Sequence, residues 1–248
     1  MRIGTWNVEY GIGVRNPDRL AILQERDADI WVLTETDADL DLSASHPFRA
    51  MTLPRSTPKT RKGSTWVTIW SKHPILRQIA VPEPRRMVAA VFETSDGPLA
   101  VAGIVLPWGN DLGDVPAQPP PRGWDEHRRV LKVEMPALLR SLRERAPGIR
   151  RVLAGDFNTD FHPPHSYGLQ GTRKEFLQLL TDEGLVCHTG RCLYPPPSPS
   201  RTLIDHVCSD LEQVGEVETW SGDDGKKPRL SDHPGVVVTL KFPELQIS

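Results

Sequence analysis

Short runs rich in β-branched and aromatic residues recur along almost all of the 248-residue chain, and they constrain its fold more than any other feature. Such residues favour the extended, half-buried conformation of a β-strand. The runs that predict strands are Arg2–Val8, Ile30–Thr34, Thr65–Ser71, Val88–Thr94, Leu99–Leu106, Arg151–Ala154, Thr202–Cys208 and Gly235–Leu240. A large sheet system is therefore expected.

Segments with helical periodicity lie between the predicted strands: Pro17–Glu25, Trp124–Arg145 and Thr172–Glu183. The second places Leu131, Leu138 and Leu142 on one face, and such an apolar face must be buried against another element. The interspersed order of strands and helices predicts packed layers, with two sheets face to face and helices outside them.

The chain is expected to form a single domain over residues 1–248, because layered α/β enzymes of this length commonly have one core. Three stretches interrupt the periodicity and are interpreted as loops rather than as domain linkers. These are Pro54–Gly63, Val115–Gly123 and Tyr194–Ser200.

The charge balance excludes a strongly basic protein, since 30 Lys and Arg residues face 32 Asp and Glu residues. Any site for a polyanion must therefore be local. The sequence contains no long apolar stretch that would span a membrane and no export signal at its start, which favours a cytoplasmic location without membrane insertion. The 3 cysteines lack the paired spacing of zinc sites and are expected to be reduced thiols.

Polar residues recur at the ends of the predicted strands, where α/β folds commonly build their sites. Taken singly, each of these residues is more often a strand cap or a solvent-facing side chain than a functional group. The clusters are Thr5-Trp6-Asn7-Val8-Glu9, Leu33-Thr34-Glu35-Thr36, Ala154-Gly155-Asp156-Phe157-Asn158, Ile204-Asp205-His206 and Leu230-Ser231-Asp232-His233-Pro234.

Gly155-Asp156-Phe157-Asn158 is the sharpest of these clusters. A glycine between a buried strand and two polar side chains allows the backbone to turn, so that both side chains can point into one cleft. A simple turn is the competing interpretation of the same four residues.

Together the clusters resemble the superfamily of DNase I, exonuclease III and the inositol phosphatases. The residues that carry the resemblance, in chain order, are Asn7, Glu35, Asp156, Asn158, Asp205, Asp232 and His233. The resemblance implies an α/β (α+β) fold, a four-layer sandwich of two packed mixed β-sheets flanked by helices. It also implies a cleft at the strand ends and a Mg²⁺-dependent hydrolase that acts on phosphate esters.

Carried over position by position, the resemblance implies that Glu35 is the main ligand of Mg²⁺, with Mn²⁺ as a possible substitute. Asn7 would lie beside the ion, and Asp232 would complete the shell through water. Hard oxygen ligands suit this ion, which takes one or two carboxylates and keeps several waters. Glu9 falls where relatives often carry a second acid near the metal.

The resemblance also implies a catalytic group in which His233 is the general base and Asp205 orients its ring. Asp156 would orient the nucleophile or protonate the leaving oxygen, and Asn158 would donate hydrogen bonds to phosphate oxygens, with Asn7 close by.

One landmark of the superfamily is missing. Many relatives carry a His or Tyr that contacts the phosphate on the strand before the middle helix, where this chain has Val105. The contact is either lost or supplied by Trp108, Asn110 or His127. The basic run Arg55, Lys59, Arg61 and Lys62 offers phosphate contacts if the substrate is a nucleic acid, although such a run is more often a solvated loop.

The leading hypothesis is a phosphodiesterase, a nuclease that hydrolyses DNA or RNA by in-line attack of water activated by His233. A phosphomonoesterase acting on a small phosphorylated molecule or a lipid headgroup uses the same residues. A catalytically weak binding module of the same fold is the third hypothesis, favoured only by Val105. Nothing in the sequence indicates an obligate protein partner.

Overall fold

The computed structural model describes residues 1–9, 13–55, 63–111, 123–196 and 200–243. Its strands are β1 Arg2–Asn7, β2 Ile30–Thr36, β3 Phe48–Met51, β4 Thr65–Ser71, β5 Ile75–Ile79, β6 Met87–Thr94, β7 Gly97–Val105, β8 Arg150–Asp156, β9 Val186–Cys187, β10 Asp205–Ser209, β11 Glu212–Gln213, β12 Glu218–Trp220 and β13 Gly235–Lys241. Its helices are a 3₁₀ turn Gly13–Arg15, α1 Asn16–Arg26, α2 Asp125–Arg129, a π-helical turn Val130–Glu134, α3 Met135–Arg145 and α4 Gln170–Asp182.

The strands form two mixed sheets. The first has 7 strands in the order β11-β13-β1-β2-β4-β3, with β12 paired to β13. The second has 6 strands in the order β5-β6-β7-β8-β10-β9. This architecture confirms the predicted α/β sandwich of two packed mixed sheets with helices outside.

The main apolar core lies between the two sheets and includes Val32, Val67, Val101 and Val152. The sheets approach closely at Gly103, where a Cβ atom would lie 2.5 Å from Val67 Cγ1. Only a residue without a side chain fits there without displacing the opposite sheet.

Two further apolar clusters join the helices to the outer faces of the sheets. α3 contributes Leu138 and Leu142 to the cluster on the second sheet, and α4 contributes Phe176 to the same cluster. α1 contributes Leu23 to the cluster on the first sheet. None of the helices in the described ranges combines the length and the apolar character that a membrane span requires.

The structure corrects two element predictions. The strand predicted at Thr202–Cys208 begins only at Asp205, where pairing with β8 starts. The helix predicted at Trp124–Arg145 contains the π-helical turn just before Pro136, whose missing N–H cannot continue the regular hydrogen-bond ladder. The strands β3, β5, β9, β11 and β12 were not predicted; β9, β11 and β12 are too brief to show an alternating pattern.

Strand directions bring the polar strand ends to one edge. β1 and β2 run parallel, so Asn7 and Glu35 emerge together. β10 runs antiparallel to β8, which places Asp205 directly opposite Asp156. β13 likewise runs antiparallel to β1, so the segment that enters β13 carries His233 to the same edge.

Candidate active site

Asn7 links the two sheets at this edge. Its Nδ2 donates to Glu35 Oε1 at 3.2 Å and to Asp156 Oδ2 at 3.1 Å. The backbone N–H of Glu9 donates to Asn7 Oδ1 at 2.9 Å, which fixes the orientation of the amide. Asn7 therefore holds carboxylates from both sheets close to each other.

The turn after β8 aims Asp156 and Asn158 into the same region. Gly155 has φ +135° and its Cβ position lies 2.0 Å from Ile104 O, so only glycine fits there. Asp156 Oδ1 accepts the Asn158 backbone N–H at 2.9 Å, and Asn158 Nδ2 donates to Leu106 O at 2.8 Å. These bonds fix both side chains before any ligand arrives.

His233 and Asp205 are in contact, as the sequence predicted. His233 Nδ1 lies 2.6 Å from Asp205 Oδ2, and the Asp205 side chain is fully buried. Ser231 holds the segment in place, because its hydroxyl accepts the His233 backbone N–H at 3.0 Å and donates to Asn7 O at 2.5 Å. With Nδ1 engaged, the other ring nitrogen remains for the cleft.

The site brings several carboxyl groups close together where they are largely buried from solvent. Burial raises the pKa of Asp156 to about 7, and the neighbouring charge of Asp205 adds to the effect. Burial also raises the pKa of Glu35, against the hydrogen bond from Asn7. Burial lowers the pKa of His233, but the charges of Asp205 and Asp156 outweigh it and raise that pKa well above the ordinary value.

The donor set fits a hard divalent cation. Several carboxylates face one another here, and Asp205 Oδ1 is buried without a hydrogen-bond partner. Among the described residues, Asp156, Asp205 and His233 form the one group of His, Cys, Asp and Glu ligand atoms that all lie within 4.8 Å of one another. Glu35, bonded to Asn7, and the half-exposed Asp232 adjoin this group and offer further oxygen ligands.

Arg229 holds the rim of the site together. Its guanidinium bonds both carboxylate oxygens of Glu9, at 3.0 and 3.1 Å, and lies 3.5 Å from Asp232 Oδ2. Glu9 therefore already has a cation partner, as does Asp232 on one of its oxygens.

A cleft of about 450 Å³ opens beside His233. Its lining includes Asn158, Tyr167, Tyr194, Arg201, Arg229 and His233. Arg201 stacks over the Tyr194 ring at 4.7 Å from its centroid. The cleft thus combines cations and aromatic surface next to the candidate base, which suits an anionic ligand.

The candidates for substrate contact that follow β7 differ in how far their side chains are exposed. Trp108 is half-buried with its ring 5.7 Å from that of Trp66, and Asn110 is exposed. His127 is fully buried, with Nδ1 bonded to Pro107 O at 2.7 Å and Nε2 to Thr159 Oγ1 at 3.2 Å. Burial excludes a direct contact between the His127 ring and substrate. Arg61 and Lys62 lie outside the described residues.

Sequence reasoning assigned no role to Tyr167, Tyr194, Arg201 or Ser231, all of which border the site. Ser231 stood inside a quoted motif, and its position two residues before His233 was the available signal. The other three lie in irregular segments without periodicity, so nothing in their spacing connected them with the strand ends.

Comparisons with known structures agree with the fold. The chain is similar to an AP endonuclease from Archaeoglobus fulgidus, with 17% identity, 98% of this chain and 100% of that chain covered, and a TM-score of 0.69. It is also similar to the 3′ phosphatase NExo from Neisseria, solved with a product DNA hairpin, at 20% identity, 98% and 100% coverage and a TM-score of 0.67.

A third similar structure is an endonuclease/exonuclease/phosphatase from Beutenbergia cavernae, at 18% identity, 98% of this chain and 71% of that chain, with a TM-score of 0.65. No curated protein matches the sequence. The sequence profile of one family does match it, over residues 4–233, a range that contains every strand-end residue named above. The chain therefore belongs to the Endonuclease/Exonuclease/phosphatase family, whose members are phosphoesterases.

Proposed function

We propose that this protein is a metal-dependent phosphodiesterase, a nuclease that hydrolyses DNA or RNA with a water activated by His233. The observation that carries the proposal is the 2.6 Å contact between His233 Nδ1 and the fully buried Asp205, beside Asp156. A histidine oriented by a carboxylate at the edge of a polar cleft is the arrangement that general-base catalysis requires.

In this proposal Asp205 holds the ring so that Nε2 faces the cleft and removes a proton from the attacking water. The negative charge of Asp205 then stabilises the imidazolium that forms. Asp156, which Asn7 holds beside Glu35, orients the attacking water or protonates the leaving oxygen. Asn158, whose Nδ2 has one hydrogen bonded to Leu106 O, donates its other amide hydrogen toward a phosphate oxygen, with Asn7 close by.

Glu35 and Asn7 would hold the metal ion, with Asp232 acting through water. Asp205 and His233 are already bonded to each other, so Glu35 is the better first ligand. When bound, Mg²⁺ or Mn²⁺ would offset the carboxylate charge that raises the pKa of His233 and would stabilise negative charge on the phosphate.

A nucleic-acid substrate is supported by the cations on both sides of the site. Arg201 and Arg229 line the cleft beside His233. Arg55 follows β3 at the same edge, and its charge acts on Glu35. Among similar structures, one is named an AP endonuclease and another was solved with a DNA hairpin. If the run from Arg55 to Lys62 contacts a phosphate backbone, replacing Arg61 and Lys62 by Ala should reduce the salt slope of binding by roughly one to two units.

A phosphomonoesterase is the second candidate, and the size of the cleft favours it. About 450 Å³ lies within the range of small-molecule sites. A compact phosphorylated molecule would fit there without any contact to Arg55.

A turnover panel separates the candidates. The protein, with Mg²⁺ or Mn²⁺, is assayed on supercoiled plasmid, single-stranded oligonucleotides, bis-p-nitrophenyl phosphate and p-nitrophenyl phosphate, with His233→Ala as the blank. Hydrolysis of the diesters supports the proposal, and hydrolysis of p-nitrophenyl phosphate alone supports the phosphomonoesterase. Binding of oligonucleotides without turnover of any substrate would instead identify a binding module.

A further inference from the structure

Directly after the Asp156 turn, the chain buries an ion pair that the reaction described above does not use. The side chain of Asp160 is fully buried and that of Arg173, on α4, is 8% exposed. Arg173 Nε donates to Asp160 O at 2.6 Å and to Asp160 Oδ1 at 2.8 Å, and Nη2 also bonds that carboxylate. Burying two charges is costly, so such a pair calls for an explanation beyond stability.

The pair also bonds the loop residues His165, Ser166 and Tyr167, and it engages both backbone polar groups of Tyr167. Asp160 Oδ2 accepts the Tyr167 backbone N–H at 2.8 Å as well as the Ser166 backbone N–H. Arg173 Nη2 donates to Tyr167 O at 3.0 Å. The ion pair therefore bonds both backbone polar groups of Tyr167. These bonds fix the backbone from which the Tyr167 side chain extends.

The side chain of Tyr167 is fixed as well. Its ring packs edge-on against Trp124, with centroids 5.3 Å apart. Tyr167 lines the cleft together with Asn158 and His233. Tyr167 is therefore a rigid polar group beside the reacting region, on a loop rather than on a strand.

The Tyr167 hydroxyl can donate a hydrogen bond. Burial and the negative charge of Asp156 raise the pKa of Tyr167, whereas the hydrogen bond from the Gly109 backbone lowers it. With its pKa raised, the phenol keeps its proton near neutral pH, and that proton is available for an acceptor in the cleft.

We propose that Tyr167 donates a hydrogen bond to a phosphate oxygen of the substrate, and that the Asp160–Arg173 pair is the device that positions it. The assignment rests on the proposed phosphoesterase function. It provides from the loop after β8 a phosphate contact that the side chain of Val105 cannot make. Asp160 and Arg173 are positioning residues, because they reach the substrate only through Tyr167.

The direct test is Tyr167→Phe, which removes one oxygen atom and keeps the ring against Trp124. With Mn²⁺ and bis-p-nitrophenyl phosphate, kcat/KM should fall on the order of 10–10²-fold, mostly in kcat, because the bond strengthens as charge builds on the phosphate. A loss of less than about twofold would overturn the assignment.

Binding of inorganic phosphate, measured by calorimetry in the presence of Mn²⁺, keeps this test separate from the proposed function. If the wild type turns over no phosphate ester, the proposed function fails, but phosphate affinity still decides the role of Tyr167. Affinity about five- to tenfold weaker in Tyr167→Phe supports the contact, since this corresponds to one lost hydrogen bond. Unchanged affinity, or no phosphate binding by the wild type, overturns it.

A double-mutant cycle tests the positioning role. Arg173→Lys keeps the charge but removes the fork that bonds Asp160 and Tyr167 together. It should lower kcat about tenfold in the wild type and much less in the Tyr167→Phe background, because the hydroxyl that it positions is then absent. Full additivity of the two losses would show that the ion pair does not act through the Tyr167 hydroxyl and would overturn the positioning role.

Discussion

Asp205 and Asp160 are both aspartates whose side chains are fully buried beside a side chain that can carry positive charge, yet their surroundings are opposite. Asp160 accepts bonds from Arg173 and from the backbone of Ser166 and Tyr167. Asp205 bonds His233 through Oδ2, and its Oδ1 has no partner.

The pKa values of the two regions show the same contrast. Burial raises the pKa of Asp160, but its backbone N–H donors and Arg173 outweigh that and lower it overall. At the strand ends, burial and mutual repulsion raise the pKa of Asp156 to about 7. A satisfied buried charge fixes geometry, whereas an unsatisfied cluster remains available for a proton, a cation and a phosphate.

The largest effect is expected at the unsatisfied cluster. His233→Ala should reduce turnover on the order of 10²–10⁴-fold, the usual loss for a general base, with a smaller change in substrate binding. Steady-state kinetics on bis-p-nitrophenyl phosphate provides the measurement. Because an orienting residue has little left to do without its base, adding Asp205→Ala should cost far less than the product of the two single losses. Multiplicative losses would show that His233 and Asp205 act independently of each other.

The next largest effect is on the free energy of unfolding, and it should appear at the Asp160–Arg173 ion pair. Asp160→Asn leaves the Arg173 charge buried without its partner and should cost about 3–5 kcal/mol of unfolding free energy. Asp205→Asn keeps the shape and removes the repulsion of Asp156 together with the attraction to His233, and because these two effects oppose each other its change should stay within about 1 kcal/mol. Urea unfolding of metal-free protein measures both. Equal destabilisation by the two variants would contradict the distinction between them.

The contrast between the strand ends and the loop also explains which site residues could be predicted from the sequence. Each of four site residues lies at one end of a strand, so their meeting at one edge follows from strand order and direction: Asn7, Glu35, Asp156 and Asp205. The predicted contact between His233 and Asp205 is present for this reason.

Asp160, Tyr167 and Arg173 could not be predicted in this way. Their bonds run largely to backbone groups of an irregular loop, and a loop has no periodicity that indicates which residues meet. His127 shows the converse error. Its place near the start of a helix suggested access to substrate, but tertiary packing buries its ring under the loop.

A smaller effect is expected for metal binding. Metal binding also distinguishes the two regions, because a cation should bind beside the carboxylates at the strand ends and not at Asp160. Mn²⁺ soaked into crystals should lie about 2.0–2.2 Å from a carboxylate oxygen of Glu35, with Asn7 nearby, and none should appear at Asp160. Glu35→Gln should weaken Mn²⁺ binding about tenfold or more in a calorimetric titration. Density on Asp156, Asp205 and His233 with Glu35 empty would move the metal site to that group.

The most gradual effect is the pH dependence of stability, whose slope is at most about 1.4 kcal/mol per pH unit for each proton. The folded-state pKa of Asp160 is lowered, so its contribution is present above the unfolded pKa of about 3.9 and is lost as the pH falls through the folded value. The folded-state pKa of Asp156 is raised to about 7, so its contribution has the opposite sign. That contribution is present below about 3.9 and is lost as the pH rises through about 7.

Each contribution is isolated as the difference in unfolding free energy between the wild type and one variant, measured without metal from pH 3 to pH 8. The advantage of the wild type over Asp160→Asn should be constant from pH 8 to about pH 5 and should shrink only below about pH 4. Relative to Asp156→Asn, the wild type should instead lose stability between about pH 4 and pH 7. Mn²⁺ should suppress that second trend, because a cation beside Asp156 favours its ionised form, and should leave the first unchanged. If both differences varied with pH in the same direction, the two buried aspartate regions would not differ in the way that their hydrogen bonds indicate.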